Sequence, residues 1–244
     1  EIERAIVEGS QLFGDRVARA YSDSRSHVRI DDARTFFSTG ARQYDAIISE
    51  PSNPWVSGVA SLFTQEFYAF LKRHLKDDGI LVQWLHTYEL SDALVATMLS
   101  ALASEFPYLD VYLTNSSDML IVARTRMSSH VNDEVARIDS ALFDELARVG
   151  IGSEALINMR RIGGEKVVKN FVRMTGAVPH SDYFPTVSLQ APRARFMRES
   201  SMFLSGLVTN GMPVLDILDC RAPLGREVSL PAVRYSLLGD ARDL

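Results

Sequence analysis

The chain has 244 residues, 46% of them apolar and 23% charged, enough to bury one sizeable core without disulfide or metal staples. The net charge of −5 and the lack of any dense Lys/Arg run argue against nucleic acid as a partner. Cys220 stands alone and reads as a small buried apolar residue, the five histidines are scattered with no i,i+4 pair, so no metal is expected, and no run of 18 apolar residues exists to span a membrane.

Ile2 to Phe13 has partial 3.6-residue periodicity through Ile6, Val7 and Leu12, and Gly14 follows as a stop signal. Val28–Ile30 reads as a short strand, and Asp32 to Phe37 as a short helix ending near Gly40. Asp45–Ser49 is a continuous apolar run of the kind that forms a parallel strand covered on both faces. A loop rich in Pro, Ser and Asn runs from Glu50 to Gly58. Phe63 to Leu75 places Phe63, Phe67, Phe70, Leu71 and Leu75 on one helical side. Asp77-Asp78-Gly79 closes that helix, and Ile80–Leu85 is the next buried strand. Leu90 to Phe106 is a helix with Ser91-Asp92 as its capping signal. Val111–Leu113 and Met119–Ala123 are two strands joined by an Asn115–Asp118 turn.

Helix and strand alternate through residue 126. That pattern predicts an α/β fold with a mostly parallel sheet and the hairpin at one edge. From 130 to 176 the apolar spacing (Val135, Ile138, Leu142, Leu146, Ile157, Val168) predicts helices. A Pro-rich stretch (Pro179, Pro185, Pro192) and a further helix near Arg195–Thr209 follow. Gly163-Gly164 and Gly150-x-Gly152 fall in the helical part and read as turns. The expected division is a nucleoside-binding domain over 1–126, a helical continuation over 127–200 and a C-terminal extension over 201–244.

Three acidic residues fall at expected strand ends: Glu1, Asp32 and Glu50. Ligands of open parallel sheets bind at the carboxyl ends of strands. One carboxylate can accept from ribose hydroxyls, a second beside the small Ala33 from an exocyclic amine, and a third can face the reacting end of the ligand. Trp55, Trp84 and Tyr88 could stack on adenine or wall off an amine, though aromatic packing at strand ends is the simpler reading, most of all for Trp84 and Tyr88. His86 reads as a second base or, more simply, a satisfied structural histidine. Arg160-Arg161 and Arg193 to Arg198 read as solvated faces or ion pairs.

The segments Tyr44 to Pro54, Ser61 to Tyr68 and Leu75 to Gln83 resemble the spermidine/spermine synthase family, the polyamine aminopropyltransferases. Glu50-Pro51-Ser52-Asn53-Pro54-Trp55 is similar to its bacterial spermidine synthase-like branch. Glu1-Ile2-Glu3, Asp32-Ala33-Arg34, Asp182 to Pro185 and Ala191-Pro192-Arg193 match in order and spacing, so the resemblance covers roughly 1–196. It implies a Rossmann-like sheet of the S-adenosylmethionine-dependent methyltransferase type and a transferase of polyamine biosynthesis. Its co-substrate would be decarboxylated S-adenosylmethionine, or S-adenosylmethionine. Glu1 would bind ribose, Asp32 and Ala33 the adenine edge, and Glu50 would be the catalytic base in place of an aspartate. Asn53 stands where the family carries a second aspartate that holds the cationic amine. Trp55, Gln83 and Asp182 would complete the amine site, Gln83 one residue out of register. The partners implied are a small-molecule amine and, by analogy, a second copy, in a cytoplasmic protein whose parent can be fused to membrane segments. A methyltransferase on the same fold and a non-catalytic nucleoside-binding domain are the alternatives. Family members carry a strand and a Gly-rich loop just before the position of Glu1. The expectation is therefore a piece of a longer protein that, alone, binds nucleoside poorly.

Overall fold

The strands form where β-branched and aliphatic residues run together, and the helices where apolar residues recur every three to four positions. In a computed structural model, which describes residues 1–115, 117–127, 140–151, 156–157, 160–204 and 206, these elements fall into two compact units, Glu1–Arg42 and Gln43–Leu244. Val135, Ile138, Gly152, Cys220 and most of the expected C-terminal extension lie outside the described residues.

The first unit holds helices α1 (Arg4–Ser10), α2 (Ala18–Ser22) and α3 (Ala33–Thr39), with a 3-10 segment at Gln11–Arg16. The Glu3 side chain caps α1 by accepting from the Ala5 N–H, and that of Asp32 caps α3 by accepting from the Thr35 N–H. Val28–Ile30 is not a strand. Val28 and Ile30 are exposed, and without an apolar face to bury, two β-favouring residues do not build a ladder.

The second unit is α/β. Its strands are β1 (Tyr44–Ser49), β2 (Leu75–His86), β3 (Tyr108–Leu113), β4 (Asp118–Arg124) and β5 (Arg161–Gly164), in the order β1-β2-β4-β3-β5. β1 and β2 are parallel, joined through α4 (Gln65–Arg73); β2–β4, β4–β3 and β3–β5 are antiparallel. The β3–β4 hairpin is not at the edge, because β5 adds a strand beyond β3. Residues 161–164, expected to be helical or a turn, are extended there with Ile162 fully buried.

One face of the sheet, with Leu81, Leu85, Leu109, Val111, Ile121 and Ala123, is buried under helices. At their centre α5 (Asp92–Glu105) is buried at every position from Leu94 to Leu102, and it packs against α4, α7 (Glu165–Thr175) and α8 (Thr186–Phe196). A helix apolar all round belongs in such a middle position. Its first turn is capped by the Ser91 hydroxyl, which accepts from the Leu94 N–H. The amphipathic α6 (Ser140–Arg148) precedes β5. α8 begins well before the expected Arg195 and carries Pro192 inside it; burial of Val187, Ala191 and Ala194 holds it helical across the proline.

Asp110 on β3 pairs with both Arg124 on β4 and Arg161 on β5, and all three side chains are largely buried. Arg161 is therefore an internal tie between strands, not part of a solvated face. Among the described residues no helix is long and apolar enough to cross a membrane.

Candidate active site

In the first unit, Glu1 and the segment before α3 run side by side. The Asp31 N–H donates to the Glu1 carbonyl at 2.9 Å. This brings Glu1 and Asp32 onto neighbouring extended segments, with Ala33 at the start of α3. The Glu1 carboxylate accepts from the N–H groups of Ile2 and Glu3 at 2.9 and 3.0 Å. Asp32 Oδ1 accepts from the Thr35 N–H at 2.9 Å. Both carboxylates are thus oriented by the backbone that follows them.

In the second unit, Glu50 directly follows β1 and is exposed. Ser49 is the parallel-ladder partner of Gln83 on β2. Gln83 is buried, and its amide is committed to the fold: Nε2 donates to the Ser49 and Trp84 carbonyls at 3.3 and 2.8 Å, and Oε1 accepts from the Tyr68 hydroxyl at 3.4 Å. It fixes the residue before Glu50. Asn53 and Trp55 lie in the loop after Glu50, which turns at Gly58 with φ +83°, a left-handed conformation open to glycine.

Trp84, His86 and Tyr88 recur at the two-residue period of a strand, so they leave the end of β2 on one face. Trp55 closes on them. Its ring centroid lies 4.9 Å from His86, edge-on at 78°, and 6.2 Å from Tyr88; His86 lies 4.4 Å from Tyr88 and 5.3 Å from Trp84. The Asn53 side chain is within hydrogen-bonding reach of the Tyr88 hydroxyl. Burial, then the charges of Asp118 and Glu89, push the Tyr88 pKa up. Arg195 lies over the Trp55 ring at 5.3 Å and pairs with Glu89 at 3.5 Å. Glu89 has φ +54°, a left-handed conformation that costs a non-glycine residue about 1–2 kcal/mol. The corner is held there by the Thr87 N–H donating to the Ser117 carbonyl at 2.7 Å and the Ser201 N–H to the Thr87 carbonyl at 2.8 Å.

His86 is not the satisfied structural histidine its sequence context suggests. It is fully buried, and neither ring nitrogen has a hydrogen-bond partner among the described residues. Burial pulls its pKa down to about 4, so the ring is neutral.

Asp182 is exposed on the loop before α8. Glu66 on α4 holds that loop, accepting from the Ser181 hydroxyl at 2.6 Å and from the Asp182 N–H at 2.9 Å. Burial would raise the Glu66 carboxyl, but these two bonds, with one from its own backbone N–H, outweigh it and lower its pKa. The structure gathers Asn53 and Trp55 with Trp84, His86 and Tyr88. Glu66, Glu89, Asp118 and Arg195 escape sequence reasoning. Glu66 sits inside the quoted Ser61–Tyr68 block and was within reach of it; a left-handed Glu89 leaves no sequence signal. Among the described residues no three His, Cys, Asp or Glu side chains gather as a metal site would require.

Residues 1–123 match the family model of the spermine/spermidine synthase domain, half of the chain. The chain belongs to this family. Two curated relatives are polyamine aminopropyltransferases. That of Bacillus mycoides (strain KBAB4) is 29% identical over 115 residues, covering 47% of this chain and 42% of the relative. That of Caldicellulosiruptor bescii is 30% identical over 113 residues, covering 46% and 40%. The matched part thus spans about two fifths of the length of these relatives. Among solved structures, the spermidine synthase of Thermotoga maritima aligns with a TM-score of 0.47 at 19% identity, over 57% of this chain and 50% of that one. Human methyltransferase-like protein 13 in complex with SAH aligns with a TM-score of 0.44 at 18% identity, over 71% and 69%. All of the gathered aromatic residues, Asn53 and Glu50 lie inside the family match; Asp182 and Arg195 lie beyond it.

Proposed function

We propose that this spermine/spermidine synthase domain transfers the aminopropyl group of decarboxylated S-adenosylmethionine to a small-molecule amine. The observation that carries the reading is the family match over residues 1–123, which contains Glu50 at the carboxyl end of a parallel strand. In the reaction a neutral amine nitrogen attacks the aminopropyl carbon next to the sulfonium. Glu50 first takes a proton from the acceptor's ammonium to leave that neutral nitrogen; a C–N bond then forms, the C–S bond breaks, and methylthioadenosine leaves with the electron pair. A carboxylate is needed because most aliphatic amines are protonated at neutral pH. The remaining acceleration comes from holding two molecules in an attack geometry.

Glu1 would take the ribose hydroxyls, and Asp32 with Ala33 the adenine edge. Gln83 acts as a positioning residue, because its bond to the Ser49 carbonyl sets the backbone from which Glu50 departs. Asn53 and Trp55 border the amine, and Asp182 adds negative charge on the acceptor side.

Calorimetric titration of the full-length protein with decarboxylated S-adenosylmethionine, S-adenosylmethionine and methylthioadenosine tests the donor. Preference for the decarboxylated form supports aminopropyl transfer. Preference for the carboxylated form moves the chemistry to methyl transfer, and binding of none removes the enzyme. Glu50→Gln is expected to lower turnover about 10²–10⁴-fold while leaving donor affinity in place. Unchanged turnover in that variant would remove Glu50 as the base.

A further inference from the structure

Arg195 comes from α8, beyond the residues that match the family, and reaches the loop that follows Glu50. Its guanidinium lies over the Trp55 ring, 5.3 Å from the centroid, and its Nε faces Glu89 Oε2 at 3.5 Å. The ring and the carboxylate thus hold it from two sides. Neither takes a hydrogen bond from it: among the described residues none of its five N–H groups has a protein acceptor. The Arg195 side chain is 58% exposed, so these donors are open to solvent.

The other polar groups around Trp55 also donate. Asn53, in the same loop, offers two amide N–H groups. Tyr88, exposed and 6.2 Å from Trp55 between ring centroids, offers a hydroxyl within reach of Asn53. The carboxylates of this corner are turned elsewhere, Glu89 to Arg195 and Asp118 to Asn115 Nδ2 at 2.7 Å. An arginine laid on an aromatic ring presents a planar fork that matches a carboxylate and repels an ammonium.

We propose that the acceptor is an amino acid, an amine that carries its own carboxylate, and that Arg195 and the Asn53 amide bind that carboxylate. This rests on the aminopropyl-transfer reading. An uncharged amide at position 53 fits it, since Asn53 donates to a carboxylate that an aspartate would repel. Glu50, which opens the loop carrying Asn53 and Trp55, takes the proton from the ammonium of the amino acid. The neutral nitrogen forms the C–N bond as the C–S bond breaks, and methylthioadenosine leaves with the electron pair. The product is an N-(3-aminopropyl) amino acid, a secondary ammonium that retains its carboxylate.

Full-length protein supplied with decarboxylated S-adenosylmethionine is assayed for methylthioadenosine release on 4-aminobutanoate, 1-butylamine and 1,4-diaminobutane. The same set is run with 6-aminohexanoate, 1-hexylamine and 1,6-diaminohexane, and every amine is titrated calorimetrically in the presence of methylthioadenosine. At one length or both, the amino acid is expected to exceed the monoamine and the diamine by about tenfold or more in kcat/KM and in affinity. Arg195→Met should remove that preference by raising KM for the amino acid, and Arg195→Lys should restore part of it. Loss of packing alone would move all three kinds of amine together. Equal or better use of the monoamine or diamine at both lengths, no binding of either amino acid, or an Arg195→Met variant that keeps the preference would each overturn the assignment. The first of these would leave aminopropyl transfer itself standing. Amino-acid binding that depends on Arg195 without release of methylthioadenosine would keep the carboxylate site and lose the reaction.

Discussion

His86 illustrates what a single buried group does to stability. Its pKa is about 4 in the folded chain against an ordinary value of 6.5. As pH falls through that window, the unfolded chain binds a proton that the folded chain refuses. Stability is therefore complete above about pH 6.5 and declines below it, by about 2 kcal/mol between pH 7 and pH 5 for this one residue. His180, also buried and also held below its ordinary value by that burial, acts in the same direction, so the effect must be isolated by comparison. His86→Phe fills the same space and removes two unpartnered nitrogens. It is expected to be more stable than the wild type by about 1–3 kcal/mol at neutral pH, and to lose its share of the acid slope. Urea midpoints of both proteins at pH 7 and pH 5 check this. A His86→Phe protein with the wild-type slope would mean that the imidazole already titrates normally in the fold.

At the level of elements, β5 and α7 are joined through a glycine. A Cβ placed on Gly163 would stand 2.5 Å from Val167 Cγ2 and 2.8 Å from Val167 Cβ, closer than atoms tolerate. Gly163→Ala is expected to destabilise the protein by about 1–3 kcal/mol through overpacking. Adding Val167→Ala should recover part of that loss, because the clash and its relief belong to the same pair. Thermal melts of the two single variants and the double variant decide it, and strictly additive effects would dissociate Gly163 from α7. The same element marks where the sequence ceases to be legible. α4 was readable from its apolar spacing and α5 from its Ser91 cap, and β1 to β4 from their apolar runs, whereas the Thr64 cap that starts α4 two residues after the expected Phe63 was not. Arg161–Gly164 was not, since a four-residue strand with two glycines has the composition of a turn and is extended only because β3 and α7 receive it. α8 was hidden by Pro192. In the site, Glu50, Asn53 and Trp55 were visible as a motif, and Trp84, His86 and Tyr88 as aromatics near a strand end. The opposition of His86 and Asp118 depends on β4 lying beside β2, a register that no local pattern encodes.

Across the whole molecule, protection from hydrogen exchange should follow the number of sides on which an element is covered. β2 has β1 and β4 as neighbours, β4 has β2 and β3, and α5 is enclosed by α4, α7 and α8. Opening any of these exposes the core itself, so their amides exchange only through near-global unfolding. The slowest amides are therefore expected at Leu81–Leu85, Met119–Ala123 and Val95–Leu102. Among the described residues β1 pairs with β2 alone and leaves Ile48 74% exposed, while β5 pairs with β3 alone over four residues; both should exchange faster by local opening. In Glu1–Arg42 no residue is buried, and its helices are seven residues long or shorter. Helices of that length are marginal without packing, so these amides should exchange first of all. Their order matters to the proposed reaction, because Glu1, Asp32 and Ala33 lie among them. If Asp32 and Ala33 hold adenine, methylthioadenosine should slow exchange across Asp31–Thr35 in the full-length protein, since the ligand binds the folded segment and not the opened one. Mass-spectrometric exchange with and without methylthioadenosine measures both effects. Slowest exchange in Glu1–Arg42 would refute the ranking, and bound nucleoside without protection at Asp31–Thr35 would take the adenine site away from Asp32 and Ala33.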